Sequence, residues 1–202
     1  MTIRAVVFDW GGVLIDHPAP VLFTYCANYF GVPRETFVAA SRTLADRFQK
    51  GLLSEDEFWE IVCSDLGVDH PTIPSLWEAA FQAAYVEKPE VFRLASVLKK
   101  NGYTIGLLSN TECPAMRFFQ QQQYDMFDVL VFSCAEGTRK PEEHIYRIAL
   151  SRLQTEPQET VFIDDAPEFI AGAASIGIKT ILFKTYAQVK HDLLSYSVQV
   201  EN

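Results

Sequence analysis

Apolar and polar positions along the chain follow two regimes. The first apolar run, Arg4-Ala5-Val6-Val7-Phe8, ends at Asp9 and is followed after Trp10 by Gly11-Gly12. A β-branched run that stops at an aspartate and a glycine pair predicts a buried strand with a tight turn at its carboxyl end. From His17 to about Lys88 the apolar spacing is helical and no strand is predicted. Segments 21–30 and 34–50 read as helices, the second stopped by Gly51 as a C-cap. Ser54-Glu55-Asp56-Glu57 reads as a capping box, opening a helix that carries Phe58, Trp59, Ile61 and Val62 on one side. Pro71 and Pro74 precede a further helix from Ser75 to about Val86.

After Lys88 strand and helix alternate. Pro89 starts a helix that Asn101-Gly102 ends, and the strand 103–108 follows. A helix from about Pro114, the strand Val129-Leu130-Val131-Phe132 and a helix from Pro141 to Leu153 come next. The strand 160–163, a helix to Ile176, the strand 179–183 and a helical tail from Tyr186 to about Tyr196 complete the order. Such alternation implies an α/β fold with a parallel sheet and helices on both faces. The chain then divides into a core of residues 1–16 and 89–202 and a helical insertion of residues 17–88. The insertion's aromatics, among them Phe23, Tyr25, Phe48, Trp59 and Trp77, are expected in its core.

Composition narrows the function classes. The chain of 202 residues is 49% hydrophobic and 13% aromatic, enough for a substantial core, with a net charge of −9. That charge opposes nucleic acid and anionic membrane surfaces as partners. The cysteines Cys26, Cys63, Cys113 and Cys134 are widely spaced, which fits reduced thiols better than a zinc site or a disulfide framework. The chain runs directly into a strand and holds no bilayer-spanning apolar run, so a cytoplasmic protein is expected.

The candidate chemistry lies at four strand ends. Asp9 follows the first strand, Ser109-Asn110-Thr111 the second, Arg139-Lys140-Pro141 comes after the third, and Asp164-Asp165 closes the fourth. Parallel strands bring these ends to one edge, where α/β sheets bind ligands. Asp9 taken alone reads equally as a helix cap or as a nucleophile or metal ligand. Together, Asp9, Asp164 and Asp165 form an all-oxygen acidic group that suits Mg²⁺ rather than zinc. Ser109, Asn110 and Lys140 supply donors and positive charge for a phosphoryl group.

With these four motifs in order, the chain resembles the haloacid dehalogenase-like hydrolase superfamily. Phe8-Asp9-Trp10-Gly11-Gly12-Val13-Leu14, Leu107-Leu108-Ser109-Asn110, Arg139-Lys140-Pro141 and Phe162-Ile163-Asp164-Asp165 carry the resemblance. It implies a Rossmann-like core with a small helical cap inserted after the first motif. It also implies that Asp9 attacks phosphorus to form an aspartyl-phosphate, while Ser109 and Lys140 hold the transferring group and Lys140 braces Asp9. Mg²⁺ would bind Asp9, Asp164 and the carbonyl of Gly11, with Asp165 supporting its waters. The implied substrate is a small phosphorylated metabolite such as a sugar phosphate.

One position departs from the superfamily's phosphatases, which usually place a second aspartate two residues after the nucleophile as general acid and base. Here it is Gly11. General acid–base help is typically worth about 10²–10⁴-fold, so slow turnover, a restriction to good leaving groups, or an acid from the insertion such as Asp16 or His17 is expected. Three alternatives stay open. A 2-haloacid dehalogenase also lacks the second aspartate, but generally lacks an adjacent pair like Asp164-Asp165. A phosphonate-cleaving hydrolase would need Lys50 as a desolvated Schiff-base amine, whereas a solvated helix-end lysine is the simpler reading. The third is a non-catalytic phosphate- or metal-binding protein. His70, His144 and His191, Glu168, and Arg42 and Arg47 are read as solvated surface groups, with Glu168 also near the metal's outer shell and the arginines also able to meet a substrate anion.

Overall fold

The computed structural model describes residues 2–201. Strands β1 (Ala5–Phe8), β2 (Thr104–Ser109), β3 (Val129–Phe132), β4 (Thr160–Asp164) and β5 (Lys179–Leu182) form one parallel sheet in the order β3-β2-β1-β4-β5. β1 is the central strand, and chain order reverses beside it, the position where open α/β sheets leave a crevice at their carboxyl edge. Side chains alternate across it. Val6 and Phe8 join the larger apolar cluster, and Ala5 and Val7 join the smaller one on the opposite face.

Helices α1 (Ala19–Phe30), α2 (Arg34–Arg42), α3 (Ala45–Gln49), α4 (Glu55–Leu66) and α5 (Leu76–Ala84) follow β1 without an intervening strand. They pack into the larger cluster, as do α6 (Pro89–Lys100) and α7 (Cys113–Gln121). After β3 comes the single turn α8 (Ser133–Glu136). The smaller cluster is closed by α9 (Glu143–Leu153) and α10 (Pro167–Ser175), and α11 (Tyr186–Ser195) returns to the larger one. The helical stretch leaves and re-enters the core through two segments that run side by side. Asp16 N–H donates to the Val86 carbonyl at 2.9 Å and Lys88 N–H to that of Leu14 at 2.8 Å.

Local boundaries differ from the pattern-based reading in ways that have physical causes. The expected helix 34–50 is two helices, broken at Thr43 and Leu44. Phe37, Ser41, Leu44 and Phe48 are all buried, so helical spacing persists across the break and periodicity does not reveal it. The helix expected from Pro141 begins at Glu143, because residues 139–142 form a turn closed by Glu142 N–H on the Arg139 carbonyl at 2.8 Å, and the amide of Asn110 pins the backbone of Lys140 within it. Phe48, Trp59 and Trp77 are buried as expected, whereas Phe23 is half-buried and Tyr25 is 39% exposed. The capping box at Ser54 and Glu57 is present as read, each side chain meeting the other's backbone N–H.

Candidate active site

Asp9 lies one residue past the Phe8↔Ile163 register pair, so it stands level with Asp164 on the neighbouring strand, and its N–H donates to the Ile163 carbonyl at 2.9 Å. Lys140 enters between them. Its Nζ is 2.8 Å from Asp9 Oδ1 and 2.6 Å from Asp164 Oδ2. Lys140 and Asp164 are completely buried and Asp9 is 6% exposed. The ammonium also lies over the rings of Phe162 and Phe169, at 5.4 and 4.9 Å, where the ring faces favour a cation. The second oxygen of Asp164 accepts the N–H of Ala166 at 2.8 Å.

The charges do not cancel. Carboxylate oxygens of Asp9, Asp164 and Asp165 lie within 4.8 Å of one another, against the buried ammonium of Lys140. Burial therefore lifts the Asp9 carboxyl from its ordinary 3.8 to about 7, with Lys140 opposing and Asp164 reinforcing the rise. Asp165 is raised too, first by burial and then by Asp164, with His17 opposing. Burial works against the charge on Lys140, but Asp9 and Asp164 outweigh it and hold the ammonium protonated. A cluster of this kind, all oxygen and net negative, suits a hard divalent cation.

Gly12 is needed for the acids to converge. Its φ is +87°, and a Cβ there would sit 2.1 Å from Asp165 Oδ2, so a side chain would displace the carboxylate. Lys88 Nζ donates to the Gly12 carbonyl at 2.5 Å and stands 3.9 Å from Asp16, tying the second inter-segment connection to the turn after Asp9. On the other flank, Ser109 Oγ and Thr111 Oγ1 are 2.6 Å apart. Thr111 N–H donates to Ser133 Oγ at 2.9 Å, and Ser133 Oγ donates to the Gln49 carbonyl at 2.6 Å.

The sequence-predicted residues fall into two groups. Asp9, Gly11, Ser109, Asn110, Lys140 and Asp165 line one cavity of about 400 Å³, with Asp164 just beneath as the partner of Lys140. The Asn110 amide, expected to face a phosphoryl group, is spent on Lys140: Oδ1 accepts its N–H at 2.8 Å and Nδ2 donates to its carbonyl at 2.9 Å. His17 and Glu168 also line the cavity, whereas Asp16 does not. A Cβ at Gly11 would meet Pro18 Cδ at 3.3 Å, so the path of a longer side chain is already crowded.

Lys50 stands apart. Its Nζ is held by Glu142 at 2.6 Å and Asp46 at 3.2 Å, and it does not line the cavity. Those carboxylates keep its ammonium protonated, the reverse of what an imine-forming amine requires. His70, His144, His191, Arg42 and Arg47 are exposed, as read.

Two contributors carry no sequence signal of their own. Glu112 accepts from Gln49 Nε2 at 3.0 Å and from Trp77 Nε1 at 3.2 Å, joining the loop after β2 to α3 and α5. Burial raises its carboxyl, against those donors and Arg139. Lys88 is the other, visible in sequence only as the last residue before a proline.

Comparison with known proteins agrees with this geometry. The family model described as haloacid dehalogenase-like hydrolase matches residues 3–177. Mouse acyl-CoA dehydrogenase family member 10 is 31% identical over 188 residues, which span 88% of this chain but 18% of the mouse protein's length. A sesquiterpene phosphatase of Aspergillus oryzae is 26% identical, with 88% of each chain covered. An enzyme of the same superfamily from Bacteroides thetaiotaomicron, crystallised with magnesium and inorganic phosphate, superposes with a TM-score of 0.74 at 25% identity over 90% of this chain and 94% of its own.

Proposed function

Because this chain belongs to the haloacid dehalogenase-like hydrolase family, we propose that it is a Mg²⁺-dependent phosphatase of small phosphorylated metabolites working through an aspartyl-phosphate on Asp9. The observation that carries this reading is Lys140 Nζ, shared between Asp9 and Asp164 at 2.8 and 2.6 Å on the acidic sheet edge beside Ser109. Asp9, Asp164 and Asp165, with the Gly11 carbonyl, fit a divalent cation. Bound there, the cation neutralises charge on the phosphoryl oxygens.

The chain's own residues do the rest. Lys140 fixes the carboxylate of Asp9, and one oxygen of that carboxylate attacks phosphorus as the ester P–O bond breaks. Ser109 Oγ and Lys140 hold the transferring group, in keeping with chemistry dominated by positioning and charge neutralisation. The leaving oxygen takes its proton from water or from His17, since Gly11 offers none. Water then cleaves the acyl phosphate and frees Asp9. Residues 17–88 act as a cap that shields these steps and shapes the leaving-group side of the cavity. The four free thiols accord with a reducing, cytosolic setting.

Lys50 and its two carboxylates weigh against the phosphonate reading, and the adjacent Asp164 and Asp165 weigh against a metal-independent dehalogenase. The test is phosphate release from a panel that includes acetyl phosphate and simple esters. Release is expected only with Mg²⁺ and is expected to fall at least 10³-fold in Asp9→Asn. Silence from the wild type across the panel, or activity that survives Asp9→Asn, defeats the proposal.

A further inference from the structure

The walls of the cavity say more about the substrate than its floor does. Away from the acidic edge they are built by Ile15 and Pro18 from the segment after Asp9, Leu22 and Phe23 from α1, and Trp77 and Phe81 from α5. Polar side chains also reach this part of the cavity, but most of their polar atoms are engaged or sealed. The Trp77 indole N–H and the Gln49 amide N–H both donate to Glu112, at 3.2 and 3.0 Å. The Trp10 indole N–H, the Gln49 oxygen and Arg139 Nε are buried out of reach of solvent and have no partner among the described residues, and Arg139 Nη1 faces Asp46 at 3.6 Å. Thr111 Oγ1 is paired with Ser109 Oγ at 2.6 Å. His17 and Glu168 remain at the exposed rim, among the acids.

We infer that the site, read as a phosphatase site as above, selects phosphate monoesters of apolar alcohols over those of polyhydroxylated ones. A hydroxyl carried onto these walls gives up water without gaining a partner, a loss of roughly tenfold in affinity for each such group. Each methylene placed there gains about fourfold. Glu112 contributes to this selectivity, because it occupies the Trp77 indole N–H and one N–H of the Gln49 amide, donors that a sugar hydroxyl would otherwise meet. A cavity of about 400 Å³ is large enough for a phosphoryl group with a short alkyl or isoprenoid-sized chain.

The experiment compares kcat/KM for hexyl phosphate and glucose 6-phosphate, and in parallel titrates hexylphosphonate and methylphosphonate calorimetrically in the presence of Mg²⁺. Hexyl phosphate is expected to exceed glucose 6-phosphate at least tenfold, and hexylphosphonate to bind at least tenfold tighter than methylphosphonate. In Phe23→Ser, a change at a half-buried position, both ratios are expected to shrink several-fold. Equal or better turnover of glucose 6-phosphate, or equal binding of the two phosphonates, overturns the inference while the phosphatase reading stands. Tighter binding of hexylphosphonate with no turnover of any ester has the opposite meaning: the cavity's selectivity holds and the phosphatase reading falls.

Discussion

Lys140 shows how one residue can hold an otherwise unfavourable site together. Two carboxylates, one fully buried and one 6% exposed, face its ammonium at 2.6 and 2.8 Å, and burial of charge is tolerated only when it is paired. Lys140→Met removes the shared cation and leaves Asp9 and Asp164 facing each other. The expected loss is about 3–5 kcal/mol of unfolding free energy in metal-free protein, measured by urea titration, with partial recovery on adding Mg²⁺. An unchanged midpoint would mean that the ion pair is not what holds this end of the sheet. Asp9 and Asp164 were legible in sequence as polar groups at the ends of apolar runs, and Lys140 in the Arg139-Lys140-Pro141 stretch after the third strand. The pairing of Asn110 with the Lys140 backbone was not, because the two residues are 30 apart in the chain and meet only through the loop geometry.

At the scale of elements, the seam between α3 and the turn α8 decides how the helical stretch sits on the core. Gly51 has φ +66°, and a Cβ there would lie 2.1 Å from the carbonyl oxygen of Cys134, so the two backbones touch. Ser133 Oγ closes the same seam on the Gln49 carbonyl, and Lys50 reaches Glu142 across it. Gly51→Ala is expected to cost about 1–3 kcal/mol, from overpacking and left-handed strain together, and to raise KM more than it lowers kcat because the cavity wall at Gln49 moves with it. A variant as stable as the wild type would show that the seam opens freely. Sequence reading placed Gly51 as a helix C-cap; its contact with Cys134 belongs to tertiary structure.

For the whole molecule, the excess of acid at the sheet edge links stability to pH and to metal. The Asp9 carboxyl rises from 3.8 to about 7 on folding, so between those values the native chain holds a proton that the unfolded chain has released. Stability of the metal-free protein therefore falls as pH rises through that interval. A divalent cation needs the carboxylate ionised and competes with that proton. The rise in Tm produced by Mg²⁺ is thus expected to grow as pH increases toward and past about 7, measured by thermal unfolding with and without Mg²⁺ across pH. A gain that shrinks with rising pH contradicts the assignment of Asp9 to the metal.

The sequence by itself determined the α/β class, the five strands and the placement of the acidic residues, Ser109 and Lys140 on one edge. Parallel strands joined by helices put every strand's carboxyl end on the same side, so local pattern and chain order suffice for that. It did not determine the break at Thr43 and Leu44, across which buried spacing is continuous, nor the union of Gln49, Trp77 and Glu112. Nor did it determine that Lys50 is occupied by carboxylates while Phe23 faces the cavity. Those depend on how the helical stretch docks on the sheet, which is set by packing between residues far apart in the chain and leaves no periodic trace along it.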